Sequence, residues 1–358
     1  MIEEKVLMKG NEAIAEGAIR AGCWAYFGYP ITPQNEIIAY MAQHMLDRGR
    51  VFIQAESEVA AINMVYGASC AGMRAMTSSS SPGISLKQEG ISYAAGADVP
   101  CVIANVSRGG PGLGSIAPAQ SDYFQSTRGG GHGDYYCIVL APKSVQECAD
   151  FTYEAFDLAD KYRTPVLVLA DGMIGQLMEG VLLPREKNRA ELPARPWAVG
   201  HMAGTGRPSI HITSINLVPE ELEAKTQARF ERYESIKKNE IRFEESGCAD
   251  ADIVLTAYGT SARVCQGARK LAEKDGIKVG YFRPITLWPF PFDELAKIGS
   301  RGKPILTVEM SLGQYVEDVR LAVLGKAPVH LLGHSGGVIP TEEEVFARIK
   351  KILGKNHG

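Results

Sequence analysis

Short apolar runs of strand length alternate along this chain with longer segments whose apolar residues recur every three to four positions. Ala25-Tyr26-Phe27-Gly28, Val51 to Gln54, Ala75 to Ser78, Cys101 to Val106, Cys137 to Leu140 and Pro165 to Leu169 predict strands. Helices are expected between them. Asn11 is placed to cap one running through Ala15 and Ile19 to Gly22. Ser57 is placed to cap another through Val65, Tyr66 and Cys70. Ser144 opens a third through Phe151, Phe156 and Leu158. Strand–helix alternation of this kind builds a parallel sheet with helices on both faces. The six strands before residue 172 make one α/β domain.

The rhythm breaks between residues 181 and 250. Pro184, Pro193, Pro196, Pro208 and Pro219 punctuate this stretch and no apolar strand stands out. Glu220 to Glu245 is charge-dense with a helical period, which predicts a solvated connecting helix. Alternation resumes at residue 251. Strands are expected at Asp252 to Tyr258, Val279 to Phe282, Pro304 to Val308 and Val329 to Leu332. Helices are expected at Ser261 to Glu273, Phe292 to Ile298, Gln314 to Leu324 and Glu342 to Leu353. The expected organisation is a first domain over 1–180, a linker over 181–250 and a smaller α/β domain over 251–358.

Composition narrows the function. In 358 residues, 38 Lys and Arg face 41 Asp and Glu, a net charge of −3. So even a balance offers no broad field for a phosphate backbone or an anionic membrane, so neither nucleic acid nor membrane is expected as a partner. Met1-Ile2-Glu3-Glu4-Lys5 has neither the basic nor the apolar region of a secretory signal. The seven cysteines are scattered singly, with no Cys-x-x-Cys pair. That argues against a disulfide framework, a zinc site or a four-cysteine iron–sulfur cluster in this chain, and for a reducing cytoplasm.

Candidate chemistry lies in the loops after the first-domain strands, where open α/β sheets bind ligands. In Gly28-Tyr29-Pro30-Ile31-Thr32-Pro33-Gln34, two prolines hold Thr32 between them. In Gln54-Ala55-Glu56-Ser57-Glu58, one acid serves as simple helix-dipole compensation. Glu58 runs into Val59-Ala60-Ala61-Ile62, so its helix is expected to be buried and its carboxylate is a candidate acid. Thr77-Ser78-Ser79-Ser80-Ser81-Pro82-Gly83 gathers hydroxyls and N–H groups at the start of a helix carrying Glu89 and Tyr93, which suits an anion or a polar ring.

The fourth loop, Ser107-Arg108-Gly109-Gly110-Pro111-Gly112-Leu113-Gly114, continues to Gln120-Ser121-Asp122. Gly112 to Ala117 imitates a dinucleotide fingerprint, but Pro118 falls where the fingerprint's helix has to run. The loop reads better as an anion clamp, because Arg108 directly follows a strand and an arginine forks a carboxylate with two hydrogen bonds. A further glycine loop, Gly129 to Gly133, carries His132 as a solvated histidine.

Taken in order, Gly28 to Pro33, Glu56 to Ala61, Thr77 to Gly83 and Arg108 to Gly114 resemble the α subunit of the 2-oxoacid:ferredoxin oxidoreductases. Val308-Glu309-Met310 and Gly313-Gln314 extend the resemblance into the second half. It implies a doubly wound, pyrimidine-type thiamine-diphosphate domain followed by a smaller transketolase-C-terminal-like domain. Glu58 is then the glutamate that hydrogen-bonds the aminopyrimidine ring and favours the imino form, which takes the thiazolium proton. Pro30, Ser80 and Ser81 contact the cofactor, Thr32 contacts the substrate's oxygens and Arg108 pairs with its carboxylate. The implied reaction is oxidative decarboxylation of a branched 2-oxoacid, 2-ketoisovalerate, to an acyl-coenzyme A and CO2, with electrons passing to ferredoxin.

Pyruvate and 2-oxoglutarate stay open as substrates, and a non-catalytic scaffold is the competing class. Asp171-Gly172 follows Ala170 rather than Gly, and no fitting Asn comes after it. The resemblance therefore implies that a β subunit holds magnesium and the diphosphate. A γ subunit and a ferredoxin-like δ subunit complete the complex, with the iron–sulfur clusters on the partner subunits.

Overall fold

The computed structural model describes residues 4–200, 206 and 208–355. The N-terminal reading at Met1 to Glu3, and those parts of the linker and of the second domain at 201–205, 207 and 356–358, lie outside the described residues.

The first half contains β1 (Val6–Lys9), α1 (Gly10–Arg20), β2 (Ala25–Gly28), α2 (Asn35–Asp47), β3 (Val51–Gln54), α3 (Glu58–Cys70), β4 (Ala75–Ser79), α4 (Ser81–Gly96) and β5 (Cys101–Ser107). It continues through α5 (Tyr123–Thr127), β6 (Ile138–Leu140), α6 (Val145–Tyr162), β7 (Pro165–Asp171), α7 (Gly172–Gln176) and β8 (Met178–Val181). The second half holds α8 (Pro219–Asn239), β9 (Phe243–Ser246), β10 (Ile253–Thr256), α9 (Gly259–Lys274), β11 (Val279–Pro284), β12 (Thr286–Trp288) and α10 (Phe292–Gly299). It closes with β13 (Ile305–Glu309), α11 (Tyr315–Val323), β14 (Val329–Gly333) and α12 (Glu342–Ile352).

All six expected first-half strands form and run parallel, in the order β6-β7-β5-β4-β2-β3. β12 adds an antiparallel edge next to β6. From β2 the chain steps outward to β3, then reverses through β4 to β5. Because parallel crossovers are right-handed, this reversal sends α2 to one face and α3 and α4 to the other. The packing agrees: α1 lies on α2 and α6, and α3 lies on α4. The carboxyl ends of the neighbouring strands β2 and β4 therefore form the switch point, where the sheet opens a crevice.

The second sheet has the order β14-β13-β10-β11-β9, parallel except for β9. All four strands expected after residue 251 are present. The two sheets are joined by buried polar contacts. Arg283 on β11 is fully buried and donates to Glu147 Oε1 at 2.8 Å and to the Ala141 carbonyl at 2.8 Å.

Three expectations are corrected. Asn11 does not cap α1, which starts one residue earlier. Its buried side chain donates instead to the Pro33 carbonyl at 2.7 Å and to Glu36 Oε2 at 2.8 Å, bracing the loop after β2. The charge-dense helix ends at Asn239 rather than Glu245, and the segment 181–250 does contain strand, since Phe243–Ser246 pairs with β11. Phe243 stacks on Phe282 with ring centroids 5.5 Å apart, so a long-range pairing overrides the local helical period. Ser57 and Ser144 do cap their helices, accepting from Ala60 N at 3.1 Å and Glu147 N at 3.2 Å.

Candidate active site

The switch point carries the four loops singled out by sequence. Ser57 closes the first turn of α3, so the next residue, Glu58, enters the structure at the helix start. Its neighbours Ala61, Ile62 and Val65 face the core and Glu58 is buried with them, whereas Glu56 is exposed. Glu56 is thus the solvated acid of the pair. The Glu58 carboxylate accepts no hydrogen bond from the described residues. It lies against Gly83 on α4, where a Cβ would stand 2.7 Å from Glu58 Oε1 and 2.0 Å from Ser79 Oγ. Only glycine lets α4 approach the carboxylate this closely.

The serine run divides by role. Ser79 and Ser80 are fully buried, and neither hydroxyl has a hydrogen-bond partner among the described residues. Both hydroxyls keep their hydrogen-bonding capacity for a polar group that enters here. Ser81 already makes hydrogen bonds within the chain. Its hydroxyl meets Asp122 Oδ2 at 2.6 Å and accepts from Arg108 N at 2.9 Å, while Asn105 Nδ2 donates to the same Asp122 oxygen at 2.8 Å. Burial pushes the Asp122 carboxyl up from its ordinary range, against the hydrogen bonds that favour its charge. Asn105 was not singled out by sequence, and Asp122 entered only as the end of the fourth loop; their signal is a polar residue inside an apolar strand and another at a loop end.

Pro30 and Thr32 are exposed at the tip of the loop after β2. The Arg108 side chain is buried beside them. It donates from Nη1 to the Thr32 carbonyl at 2.8 Å and from Nη2 to the Leu113 carbonyl at 2.9 Å, with Nε unpaired. The glycine run after it folds back on itself: Gly109 N donates to Ala117 O at 2.9 Å, and Arg108 bridges Pro118. No helix follows before Tyr123, in keeping with rejection of the dinucleotide fingerprint.

The second half supports this floor. Gln120 donates to the Tyr258 carbonyl at 2.8 Å and accepts from Ser261 Oγ at 2.8 Å and Met310 N at 2.9 Å. Asp171 is buried and accepts from Ile174 N at 3.1 Å, Thr260 N at 2.9 Å and Thr260 Oγ1 at 2.6 Å. It caps two helices across the junction of the sheets. Glu309 caps α11 through Tyr315 N at 3.0 Å and Val316 N at 3.1 Å. His132 is exposed on its glycine loop, away from these groups, lining a separate groove with α8.

Residues 16–244 match the family described as pyruvate flavodoxin/ferredoxin oxidoreductase, thiamine diphosphate-binding, and residues 251–345 match pyruvate:ferredoxin oxidoreductase core domain II. The chain belongs to the 2-oxoacid:ferredoxin oxidoreductases. It is 49% identical over 351 residues to the ketoisovalerate oxidoreductase subunit VorB of Methanothermobacter marburgensis, covering 98% of this chain and 99% of that one. The 2-oxoglutarate synthase subunit KorA of Methanothermobacter thermautotrophicus is 37% identical, with 98% of this chain and 99% of that one covered.

Among solved structures, the 2-oxoglutarate:ferredoxin oxidoreductase from Magnetococcus marinus, with 2-oxoglutarate, coenzyme A and succinyl-CoA bound, superposes with a TM-score of 0.86 at 30% identity. That match covers 98% of this chain and 66% of the other, so this chain spans a little under two thirds of its length. A split-gene transketolase, an inactive β4 tetramer, shares the fold alone, with a TM-score of 0.59 at 14% identity over 97% of this chain and 98% of the other.

The 2-oxoacid:ferredoxin oxidoreductase chain is therefore an enzyme subunit, with a pyrimidine-type thiamine-diphosphate-binding domain and a transketolase-C-like domain. The residues present suit the ring side of that cofactor: a buried carboxylate that accepts no hydrogen bond among the described residues lies close to the unpaired Ser79 hydroxyl at Gly83. Among the described residues no cluster of three His, Cys, Asp or Glu could hold a metal ion, and no helix is long and apolar enough to cross a membrane.

Proposed function

We propose that this chain is the pyrimidine-side subunit of a 2-ketoisovalerate:ferredoxin oxidoreductase, catalysing oxidative decarboxylation to an acyl-coenzyme A and CO2. The observation that carries the reading is the buried Glu58 carboxylate beside Ser79, which accepts no hydrogen bond among the described residues, at the switch point of a sheet whose family binds thiamine diphosphate. When bound, thiamine diphosphate supplies the nucleophilic carbon and the electron sink for decarboxylation.

Glu58 hydrogen-bonds the aminopyrimidine ring and exchanges a proton there. Ser80 and Ser81, with Ser79, line the ring side of the cofactor, Pro30 walls it, and Ser81 also holds α4 in place through Asp122. Arg108 keeps N–H groups beyond the two it gives to backbone carbonyls, enough to fork a 2-oxoacid carboxylate, with the Thr32 hydroxyl alongside. Residues 1–180 act as the cofactor domain, 181–250 as a connector and 251–358 as the supporting domain.

The preference for 2-ketoisovalerate rests on the 49% identity to ketoisovalerate oxidoreductase subunits, against 37% for a 2-oxoglutarate synthase subunit. A β subunit supplies the diphosphate and magnesium site, and γ and ferredoxin-like δ subunits complete a cytoplasmic complex that carries the iron–sulfur clusters. Exposed apolar residues flanking Glu58 and α4, namely Ile53, Val59 and Leu86, suit coverage by such a partner.

The test is purification of the assembled complex and measurement of coenzyme A-dependent ferredoxin reduction on 2-ketoisovalerate, pyruvate and 2-oxoglutarate. The highest kcat/KM is expected for 2-ketoisovalerate. A preference for either other acid would overturn the substrate assignment. Full activity of the chain alone would overturn the shared cofactor site.

A further inference from the structure

Lys87 is a buried charge with no part in the site as described so far. Gly83, Lys87 and Gly90 fall four and three residues apart on α4, so they share one face of the helix. That face is pressed on α3. A Cβ at Gly83 would meet the Glu58 carboxylate, and one at Gly90 would stand 2.6 Å from Ile62 Cγ2. Between the two glycines the Lys87 side chain is fully buried, and its Nζ reaches the Glu58 carbonyl oxygen in a long contact of 3.4 Å. The outer face of α4 carries Ser85, Leu86 and Glu89, all exposed.

Lysines on surface helices ordinarily extend their ammonium into water. Lys87 does not, although burial lowers its pKa from 10.5 to about 8. Glu58, facing it from α3, is the charged group that acts on it and the one that favours its charge. Its neighbours on α4 point elsewhere: the Gln88 side chain lies against Gly130 of the glycine loop, and Glu89 accepts from the Tyr93 hydroxyl at 2.6 Å. A methionine of nearly equal length would fill the same slot with no charge to bury. A lysine whose charge is disfavoured by burial yet faces a carboxylate calls for a reason beyond packing.

We propose that Lys87 is a positioning residue for Glu58, its ammonium holding the first turn of α3 and setting a positive charge behind the carboxylate that meets the aminopyrimidine ring. This rests on the thiamine reading of Glu58 given above. Lys87 touches neither ring nor substrate; it acts through the orientation and charge of Glu58.

The experiment uses the assembled, thiamine-loaded complex carrying wild-type chain, Lys87→Met, Glu58→Gln or both. Hydrogen–deuterium exchange at the thiazolium carbon is followed by acid quench and NMR across pH, beside KM and thermal stability. Lys87→Met is expected to slow exchange by about tenfold or more, the scale of losing an opposite charge near a carboxylate. The wild-type profile is expected to inflect near pH 8 and the Lys87→Met profile is expected to lack that inflection. KM for the 2-oxoacid and assembly are expected to hold, and Lys87→Met is expected to add nothing in the Glu58→Gln background. Unchanged exchange overturns the proposal. So does a loss of stability or assembly in Lys87→Met, or an equal slowing with and without Glu58. If Glu58→Gln alone leaves exchange intact, the thiamine reading of Glu58 fails first and takes this proposal with it.

Discussion

Arg108 donates from Nη1 to the carbonyl oxygen of Thr32 at 2.8 Å, across 76 residues of chain. One guanidinium thereby ties the loop after β2 to the loop after β5, since its Nη2 also holds Leu113. Arg108→Lys keeps the charge but cannot make both ties and still fork a carboxylate. KM is expected to rise by about 10- to 100-fold, or about 1.5–3 kcal/mol for one charged hydrogen bond. The rise is expected to be alike for 2-ketoisovalerate, pyruvate and 2-oxoglutarate, because all carry the same carboxylate. Unchanged KM values with a lowered Tm would make Arg108 a brace for two loops and nothing more.

Glu58→Gln keeps the shape of a buried side chain and removes its exchangeable charge. Turnover of the complex is expected to fall by about 10²–10⁴-fold, the span of general acid–base contributions. Assembly, followed by size-exclusion chromatography, is expected to persist. Near-normal turnover would remove Glu58 from the chemistry.

Gly83→Ala tests the same corner from the opposite helix. Its Cβ would sit 2.0 Å from Ser79 Oγ and 2.7 Å from Glu58 Oε1, so both side chains must move. Overpacking costs about 1–3 kcal/mol, while replacing a helical glycine by alanine returns about 1 kcal/mol. Tm is therefore expected to drop only modestly while turnover falls at least about tenfold, because a catalytic group displaced by an ångström loses far more rate than stability. Equal turnover in Gly83→Ala would show that the Glu58–Ser79 geometry is not critical.

Much of this corner was legible in the sequence, for a local reason. Ser57 caps, Glu58 follows, and the apolar run Val59 to Ile62 announces a buried helix; nothing distant is needed to read it. Lys87 was not legible, because Leu86-Lys87-Gln88-Glu89 looks like the solvated face of a helix. Its burial is set by the approach of α3 at Gly83 and Gly90, a tertiary fact whose trace in sequence is glycine spacing alone. Asn11 misled in the same way: its identity suits a cap, yet its amide is claimed by Pro33 from another loop. The short strands β9 and β12 escaped because their partners, β11 and β6, lie far away or in the other half of the chain. Strand formation answers to such partners more than to local propensity.

The cysteines offer a simple check on packing. All seven are free and buried, and burial pushes the thiols of Cys23 and Cys137 up to about 12. The thiolate is the reactive form, so these groups are inert while the fold holds. An aromatic disulfide reagent is expected to titrate the seven thiols only after denaturation. Rapid reaction of native thiols would show that the core opens readily.

Lys87 also makes a prediction about pH that does not depend on its role. Its folded pKa, about 8, lies below the ordinary 10.5, so the folded state gives up the proton first. Below pH 8 both states carry the charge, and burying it costs the fold its full penalty. Between pH 8 and 10.5 the unfolded chain binds more protons, so this group's contribution to stability rises with pH. Lys87→Met removes the penalty at every pH. Unfolding of the full chain in denaturant is expected to find Lys87→Met more stable at neutral pH, by about 3–4 kcal/mol at roughly 1.4 kcal/mol per pKa unit. The gap is expected to narrow as pH rises above 8. Buried thiols and phenols, whose pKa values are raised, weaken the fold at alkaline pH in both proteins and cancel in the difference. A gap that stays constant with pH would mean that the Lys87 amine is not buried as a charge, and a variant less stable at neutral pH would mean that the ammonium stabilises the fold on balance.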